Sequence, residues 1–562
     1  MTGLRQIAFL LLTLFCISLV LVATPSTVPA QPPQKAKPGD NRWTASGKNG
    51  AVGAGNAGSA EAGMSLLKSG GNAIDAAVAT ILALSVTDSN QFCFGGECPI
   101  MVYDAKRGVV EVLSGQGEAP RLATREFFAK KGGIPRGGIL SAAVPGAFDA
   151  CVTALDRYGT KTFAECAAPM LELLDKGKKD WHPLLAKTVR RLLDAEKSSP
   201  HDRKRGLRLV ADYFYRGPLA WEMDAWSQKN GGLIRYSDLA THVTHIDDPV
   251  SINYRGHTVY KGDVWTQGPY LLETLGILEG IDIAKMGHNS TDAIHMTVEA
   301  LKLGLADRDQ YFADPLFAAV PLKEILAPSY LNLRRGLIDP QTASLTLQPG
   351  DPRGGKALLA NPQFRFGEKG IVNDTTTCVA ADSQGNMVAA TPSGYTGVQY
   401  GDTGVWMSSR LQSFNIWEGH PNCIEPGKRP RITLSPGMVF KDGKPLLAIS
   451  IAGGDQQDIG ALQIIMNHLD FGMSAAEAIS APRFATNHFI SSFGQVKPAL
   501  GSLHLTPQFE PKTIEELKGR GFKVTMKTGV NGSWPVMIRM DPQTKVLDAV
   551  GDTKANRHVG AW

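Results

Sequence analysis

Three hydroxyl-bearing residues in a row, Thr375-Thr376-Thr377, follow Asp374 and precede the small apolar run Cys378-Val379-Ala380-Ala381. A threonine hydroxyl attacks an amide only if something takes its proton, and one arrangement gives that task to the residue's own α-amine. Such an amine exists only on the first residue of a chain, whereas Thr375 lies deep inside this one. The chemistry therefore requires a cut between Asp374 and Thr375, most simply through attack of the Thr375 hydroxyl on the preceding carbonyl. A Thr-rich edge strand without chemistry is the other reading of the same three residues.

The elements that would hold such a group can be read around it. From Thr376 the chain reads as a strand, a polar turn at Asp382–Asn386 and a second small apolar strand to Thr391, together a β-hairpin. Gly453-Gly454 follows the apolar run Leu446–Ala452, at a strand end where backbone N–H groups can be turned toward a developing negative charge. Met438–Lys441 and Pro445–Ile451 flank Asp442-Gly443, a strong short-hairpin signal. Pro99–Tyr103 with Val109–Leu113, and Val536–Met540 with Lys545–Val550, form further hairpins. A helix beginning near Ala60 ends at Gly70-Gly71. Asn72, with Asp75 three residues on, caps a second from Ala73 to Val86 that is apolar on almost every face and so is buried on several sides. Two more helices are read over about Thr291–Phe312, capped by Ser290 or Thr291, and Asp458–Leu469.

Several short motifs occur in one order along the chain. They include Gly70-Gly71-Asn72-Ala73-Ile74-Asp75, Ala143-Val144-Pro145-Gly146, Ala306-Asp307-Arg308 and Asp374-Thr375-Thr376. Asp382-x-x-Gly385-Asn386, Lys428-Arg429-Pro430, Ser435-Pro436, Gly453-Gly454 and Ala481-Pro482-Arg483-Phe484 follow. This series resembles the γ-glutamyltranspeptidases, a family of N-terminal-nucleophile hydrolases, over nearly everything after residue 48. The resemblance implies an α+β fold, a four-layer αββα sandwich built from two subunits of one self-cleaved precursor. The large subunit would span 49–374 and the small subunit 375–562, intertwined around a single core, although a chain of this length would by size alone be split into domains. It further implies that Thr375 is the nucleophile, that Gly453 and Gly454 supply the oxyanion donors, and that Thr391 and Ser393 occupy two family threonine positions. Ser393 keeps a hydroxyl for the nucleophile. No cofactor or metal is implied, and the substrate is a small-molecule amide or peptide.

The positions that would recognise a glutamyl group depart from the family pattern. The arginine expected for the α-carboxylate falls at Gln116, which can hydrogen-bond but carries no charge. Tyr395 stands where an Asn is expected, Arg410 for a Glu or Gln, Ser413 for the Asp that holds the α-amine, and Ile432-Thr433 for a pair of serines. The family's His two residues after the nucleophile is Thr377. Reacting groups are kept while the pocket changes, and a new Arg with a missing Asp favours an anion or an uncharged acyl group over an α-ammonium. Three readings follow: a γ-glutamyltransferase-like amidohydrolase, a non-glutamyl acylase, or an unprocessed exported binding protein.

The remaining features bound these readings. Met1–Ala30 has Arg5 before an apolar run, Ile7–Val22, and ends Val28-Pro29-Ala30, the pattern of a secretory signal; the run is also long enough for an uncleaved anchor. Residues 31–48 read as a disordered leader, and the protein as exported, periplasmic or extracellular. A formal charge of +5 over 562 residues, with no aromatics in the basic run His201–Arg205, argues for a solvated loop there and against nucleic acid. Cys93 and Cys98 could close a short disulfide loop. His242-x-x-His245 with Asp247-Asp248 resembles a ligand cluster but lacks the Glu of a metallopeptidase motif. Residues from Pro349 to Ile371 are Gly-, Pro-, Lys- and Arg-rich, which suits a segment that withdraws after a cut.

Overall fold

Two seven-stranded antiparallel sheets stack face to face and are covered on their outer sides by helices. The computed structural model describes residues 42–354, 375–395, 398–527 and 532–562. In the first sheet the order is Thr44–Gly47, Leu547–Gly551, Trp534–Met540, Lys444–Ala452, Gly437–Lys441, His257–Lys261 and Val250–Tyr254. The second runs His558–Ala561, Gly50–Ala54, Cys378–Asp382, Met387–Ala390, Ile100–Asp104, Val109–Leu113 and Ile246–Asp247. Both sheets therefore contain strands from before and after Thr375.

Strand side chains alternate between two faces, and here both faces are apolar because both are covered. In the second sheet Ala51, Met101, Val379, Ala381, Met387 and Ala389 meet Met438, Ala448, Val536 and Ile538 of the first, making the inter-sheet core. Their neighbours Val52, Ile100, Cys378, Ala380, Val388 and Ala390 face the helices Ala57–Lys68, Ala73–Thr87 and Ala147–Tyr158. On the far side, Leu447, Ile449, Ile451 and Met537 pack under Pro269–Leu278, Thr291–Tyr311 and Gln456–Leu469. The result is the four-layer αββα sandwich implied above.

Local signals explain the boundaries. The Asn72 side chain accepts from Asp75 N, Asp75 returns the bond to Asn72 N, and Asp75 also accepts from Thr160 N and Oγ1. Asp382 accepts from Asn386 N and Nδ2 within its own turn and from Ala73 N, tying the hairpin to the start of the helix Ala73–Thr87. Asp442 and Gly443, at φ 49° and 73°, make the left-handed two-residue turn between Gly437–Lys441 and Lys444–Ala452.

Some expectations are corrected. The leader read over 31–48 ends sooner, since Thr44–Gly47 pairs with Leu547–Gly551 and adds an edge strand. His201–Arg205 is not a loop throughout: Asp202 accepts from Arg205 N and starts the helix Arg203–Tyr215, whose apolar positions bury Leu207, Val210 and Phe214. Cys93 and Cys98 are buried thiols not bonded to each other; Cys98 N is tied to Gly115 O at 2.7 Å. Residues 1–41, most of Pro349–Ile371, and Asp374 lie outside the described residues. Among the described residues no helix is long and apolar enough to cross a membrane.

Candidate active site

Thr375 sits just before the strand Cys378–Asp382 and is buried. It bridges Ser393, which follows the neighbouring strand Met387–Ala390, and the pairing brings their hydroxyls to 3.2 Å. Thr376 N donates to Pro392 O at 2.8 Å, closing the same ladder. On the nitrogen side, Thr375 N donates to Gln91 Oε1 at 3.2 Å.

Ser393 is held from behind. Arg410 Nη2 donates to Ser393 Oγ at 2.7 Å, and Arg410 Nε donates to Glu97 Oε1 at 2.5 Å. Ser408 Oγ donates to the other Glu97 oxygen, and Glu97 N and Ser393 N exchange backbone hydrogen bonds with each other's carbonyls. A guanidinium can only donate. Ser393 Oγ therefore accepts from Arg410, while in its 3.2 Å contact with Thr375 Oγ1 either hydroxyl can be the donor.

Thr391 and the glycine pair are joined across the two sheets. Thr391 Oγ1 lies 3.2 Å from Ser450 Oγ, which donates to Ala390 O at 2.6 Å. Ser450 belongs to Lys444–Ala452, so this contact anchors the end of that strand, and Gly453-Gly454 after it, to the sheet that carries Thr375. Gly453 has φ 137°, and a Cβ there would meet Gly532 O at 1.7 Å; Gly454 has φ 56°. Neither N–H donates to another group among the described residues, as a preorganised oxyanion donor requires. Asp455 fixes the turn, accepting from Arg308 Nη1 at 2.7 Å and from Ser492 Oγ at 2.6 Å. The charged motif residues thus serve as buried braces: Arg429 pairs with Asp314, Arg431 with Asp309 and Arg483 with Asp552.

Of the positions read as a substrate pocket, Arg410 and Ser413 share one turn, and Ser409 Oγ beside them donates to Tyr395 O at 3.2 Å. Gln116 is buried, donates to Gly117 O at 3.1 Å, and its Oε1 has no partner among the described residues. Tyr395 stacks on Trp406 at 5.5 Å beside a cavity. Ser413 is buried in the turn Arg410–Ser413, with no hydroxyl partner among the described residues. Ile432 belongs to the inter-sheet core, and the Thr433 carbonyl receives the Gln457 side-chain nitrogen at 3.0 Å. The Arg410 charge is met by Glu97.

Sequence reasoning missed Gln91, Glu97, Ser408 and Ser450. Two left a trace: Ser450 is a lone hydroxyl inside Leu446–Ala452, and Glu97 a lone carboxylate between Gly95-Gly96 and an apolar strand. Gly55 was missed too, and a Cβ there would meet Thr376 Oγ1 at 2.1 Å and Asp88 Oδ2 at 2.7 Å. Burial raises the Asp88 carboxyl above its usual range, against the pull of Arg557 and the Thr376 hydroxyl. The His242–Asp248 cluster is dispersed, with His242 Nδ1 2.8 Å from Glu118 Oε2 and Asp247 accepting from Trp265 Nε1. Among the described residues no three His, Cys, Asp or Glu converge as metal ligands.

A model of gamma-glutamyltranspeptidase matches residues 59–197 and 181–562, nearly the whole described chain. The chain belongs to the gamma-glutamyltranspeptidase family. It is 30% identical over 541 residues to the glutathione hydrolase proenzyme of Escherichia coli K12, covering 88% of this chain and 89% of that one. It is 31% identical over 532 residues to the acylase ACY 1 proenzyme of a Pseudomonas species (strain SE83), covering 87% and 89%. The crystal structure of cephalosporin acylase from Bacillus halodurans superposes with a TM-score of 0.79 at 28% identity, covering 95% of this chain and 99% of that one. As a gamma-glutamyltranspeptidase-family protein, the chain is an amidohydrolase with the N-terminal-nucleophile fold. Its relatives divide between glutathione hydrolases and acylases, so membership leaves the acyl group open.

Proposed function

We propose that the chain is an exported precursor that cuts itself between Asp374 and Thr375 and then hydrolyses an amide through an acyl-enzyme on Thr375. In the first step the Thr375 α-amine accepts the hydroxyl proton as Oγ bonds to the substrate carbonyl carbon. The carbon–nitrogen bond then breaks, the leaving amine takes the proton, and an ester on Thr375 remains. Water, activated by the same amine, hydrolyses the ester; an amine in water's place yields transfer. The observation that carries this reading is the Thr375–Ser393 contact at 3.2 Å, braced by Arg410 and Glu97.

An uncharged acyl group is favoured over a γ-glutamyl one. Of the six aligned recognition positions, Gln116, Ser413, Ile432 and Thr433 bring no charge, and Arg410 is already paired with Glu97. A glutamyl head would have to give up its hydration without a matched carboxylate or ammonium partner from these positions, which is costly.

A denaturing gel and mass analysis test the first claim. The expected result is two fragments, the smaller beginning Thr-Thr-Thr-Cys; a single full-length band with normal amide turnover would overturn it. For the second, γ-glutamyl-p-nitroanilide is expected to turn over far more slowly than an uncharged acyl p-nitroanilide, and the reverse order would refute the preference. A single inert band would instead favour an unprocessed binding protein.

A further inference from the structure

A cavity of about 560 Å³ opens beside the segments that clamp the nucleophile. Ser89, Asn90 and Cys93 on its lining flank Gln91, which holds Thr375 N. Tyr395, two residues past Ser393, lines it as well. Four aromatic side chains stand in an otherwise mostly polar lining: Tyr395 and Trp406 stack with rings 28° apart, and Phe94 and Trp181 lie among Asn90, Gln399 and the charged residues Lys178, Lys179 and Asp180. Trp406 O accepts from Gly95 N at 3.0 Å, so this wall is fastened to the segment that leads into Glu97.

Three of the polar side chains in the lining are already engaged. Ser85 Oγ donates to Leu82 O at 2.7 Å, and Lys179 Nζ donates to Ser89 Oγ at 2.7 Å while lying 5.6 Å from the Trp181 ring. The charged lining residues, Lys178, Lys179 and Asp180, are exposed at the rim. The Trp406 indole N–H is buried and has no partner among the described residues. Such a volume suits one small ligand, and flat aromatic walls attract a ring by offset or edge contacts.

We propose that this cavity is the acyl pocket and that it takes an aromatic acyl group, an inference that rests on the proposed Thr375 chemistry. The test uses the processed full-length protein with phenylacetyl-, acetyl- and γ-glutamyl-p-nitroanilide. Phenylacetyl is expected to exceed each of the others in kcat/KM by at least about tenfold. Trp406→Ala should cut the phenylacetyl-to-acetyl ratio by about tenfold or more, and Trp181→Ala, at a half-exposed helix start, is a second variant should the first not fold. Binding is read apart from turnover, as saturable quenching of tryptophan fluorescence by phenylacetate that is weakened in both variants.

A phenylacetyl substrate no better than acetyl, or a ratio unmoved by both substitutions, would overturn the inference; so would absence of phenylacetate binding. Appearance of the Thr-initiated fragment reports the Thr375 chemistry independently of acyl preference, so the two readings fail separately.

Discussion

The proposed chemistry of this site centres on one pair of hydroxyls, Thr375 and Ser393 at 3.2 Å. Because Arg410 can only donate, Ser393 Oγ accepts from it and is held in place beside Thr375. Thr375→Ala is expected to abolish both the cut and amide turnover, checked by gel and by p-nitroaniline release. The pair behind Ser393 has its own signature. Removing one partner leaves a buried, uncompensated charge, so Glu97→Gln and Arg410→Gln should each destabilise by about 3–5 kcal/mol. The double variant should lose less than the sum of the two, with a coupling of about 1–3 kcal/mol in a denaturant-unfolding cycle. Additive losses would show that the two groups act separately. Arg410→Lys should retain part of the stability yet lower kcat, because a point charge cannot meet Glu97 and Ser393 with the fork geometry that Arg410 shows.

At the level of elements, Thr375 lies at a strand end, and its hairpin is tied to a helix start through Asp382 and Ala73 N. The helix Ala73–Thr87 begins on a closed capping box whose Asp75 also grips Thr160, and Asn72 Nδ2 donates to Tyr158 O at 2.8 Å. Asn72→Ala should therefore cost more than an exposed cap, about 2 kcal/mol, measured as a shift in the denaturant midpoint. The turn after Lys444–Ala452 is stricter still. Gly453 adopts φ 137° with Gly532 O inside the space of a Cβ, so Gly453→Ala must move the backbone that carries the proposed oxyanion donors. Loss of one such donor costs about 100-fold or more in kcat, and a Gly453→Ala protein with unchanged kcat would exclude the pair from that role.

For the whole molecule, the halves on either side of Thr375 are woven together and two buried histidines help fasten them. His420 Nδ1 accepts from Asn422 N at 3.0 Å while Nε2 donates to Asp309 O at 3.0 Å. His488 Nδ1 accepts from Gly501 N at 2.9 Å while Nε2 donates to Thr346 O at 3.1 Å. Each ring is thereby fixed neutral, and burial holds both down at about 4, below the ordinary 6.5. A histidine with a depressed folded value contributes stability that is complete above its unfolded value and is lost as pH falls toward the folded one. Stability, and Tm with it, should accordingly fall as pH drops from 6.5 to 4, the loss reaching about 3 kcal/mol for each ring. His488→Gln should lower Tm at neutral pH and flatten that slope; an unchanged slope would remove His488 from the account.

Much of this was legible before any coordinates. Hydroxyls after Asp374, the Asn72–Asp75 cap, the Asp442-Gly443 turn and the short apolar strand runs are local patterns, and local patterns survive in sequence because bonded neighbours determine them. The fold class and the residues expected around Thr375 came from the family resemblance that the order of the motifs carries. What only the tertiary structure decided is which distant groups meet. Glu97, Arg410 and Ser393 are far apart along the chain, as are Thr391 and Ser450, and nothing in their spacing announces contact. Arg410 read alone was a free cation for a ligand; folded, it is neutralised by Glu97 and turned to the task of aiming a serine. Charge and hydrogen-bond direction belong to pairs, and pairs across a sheet are made by packing.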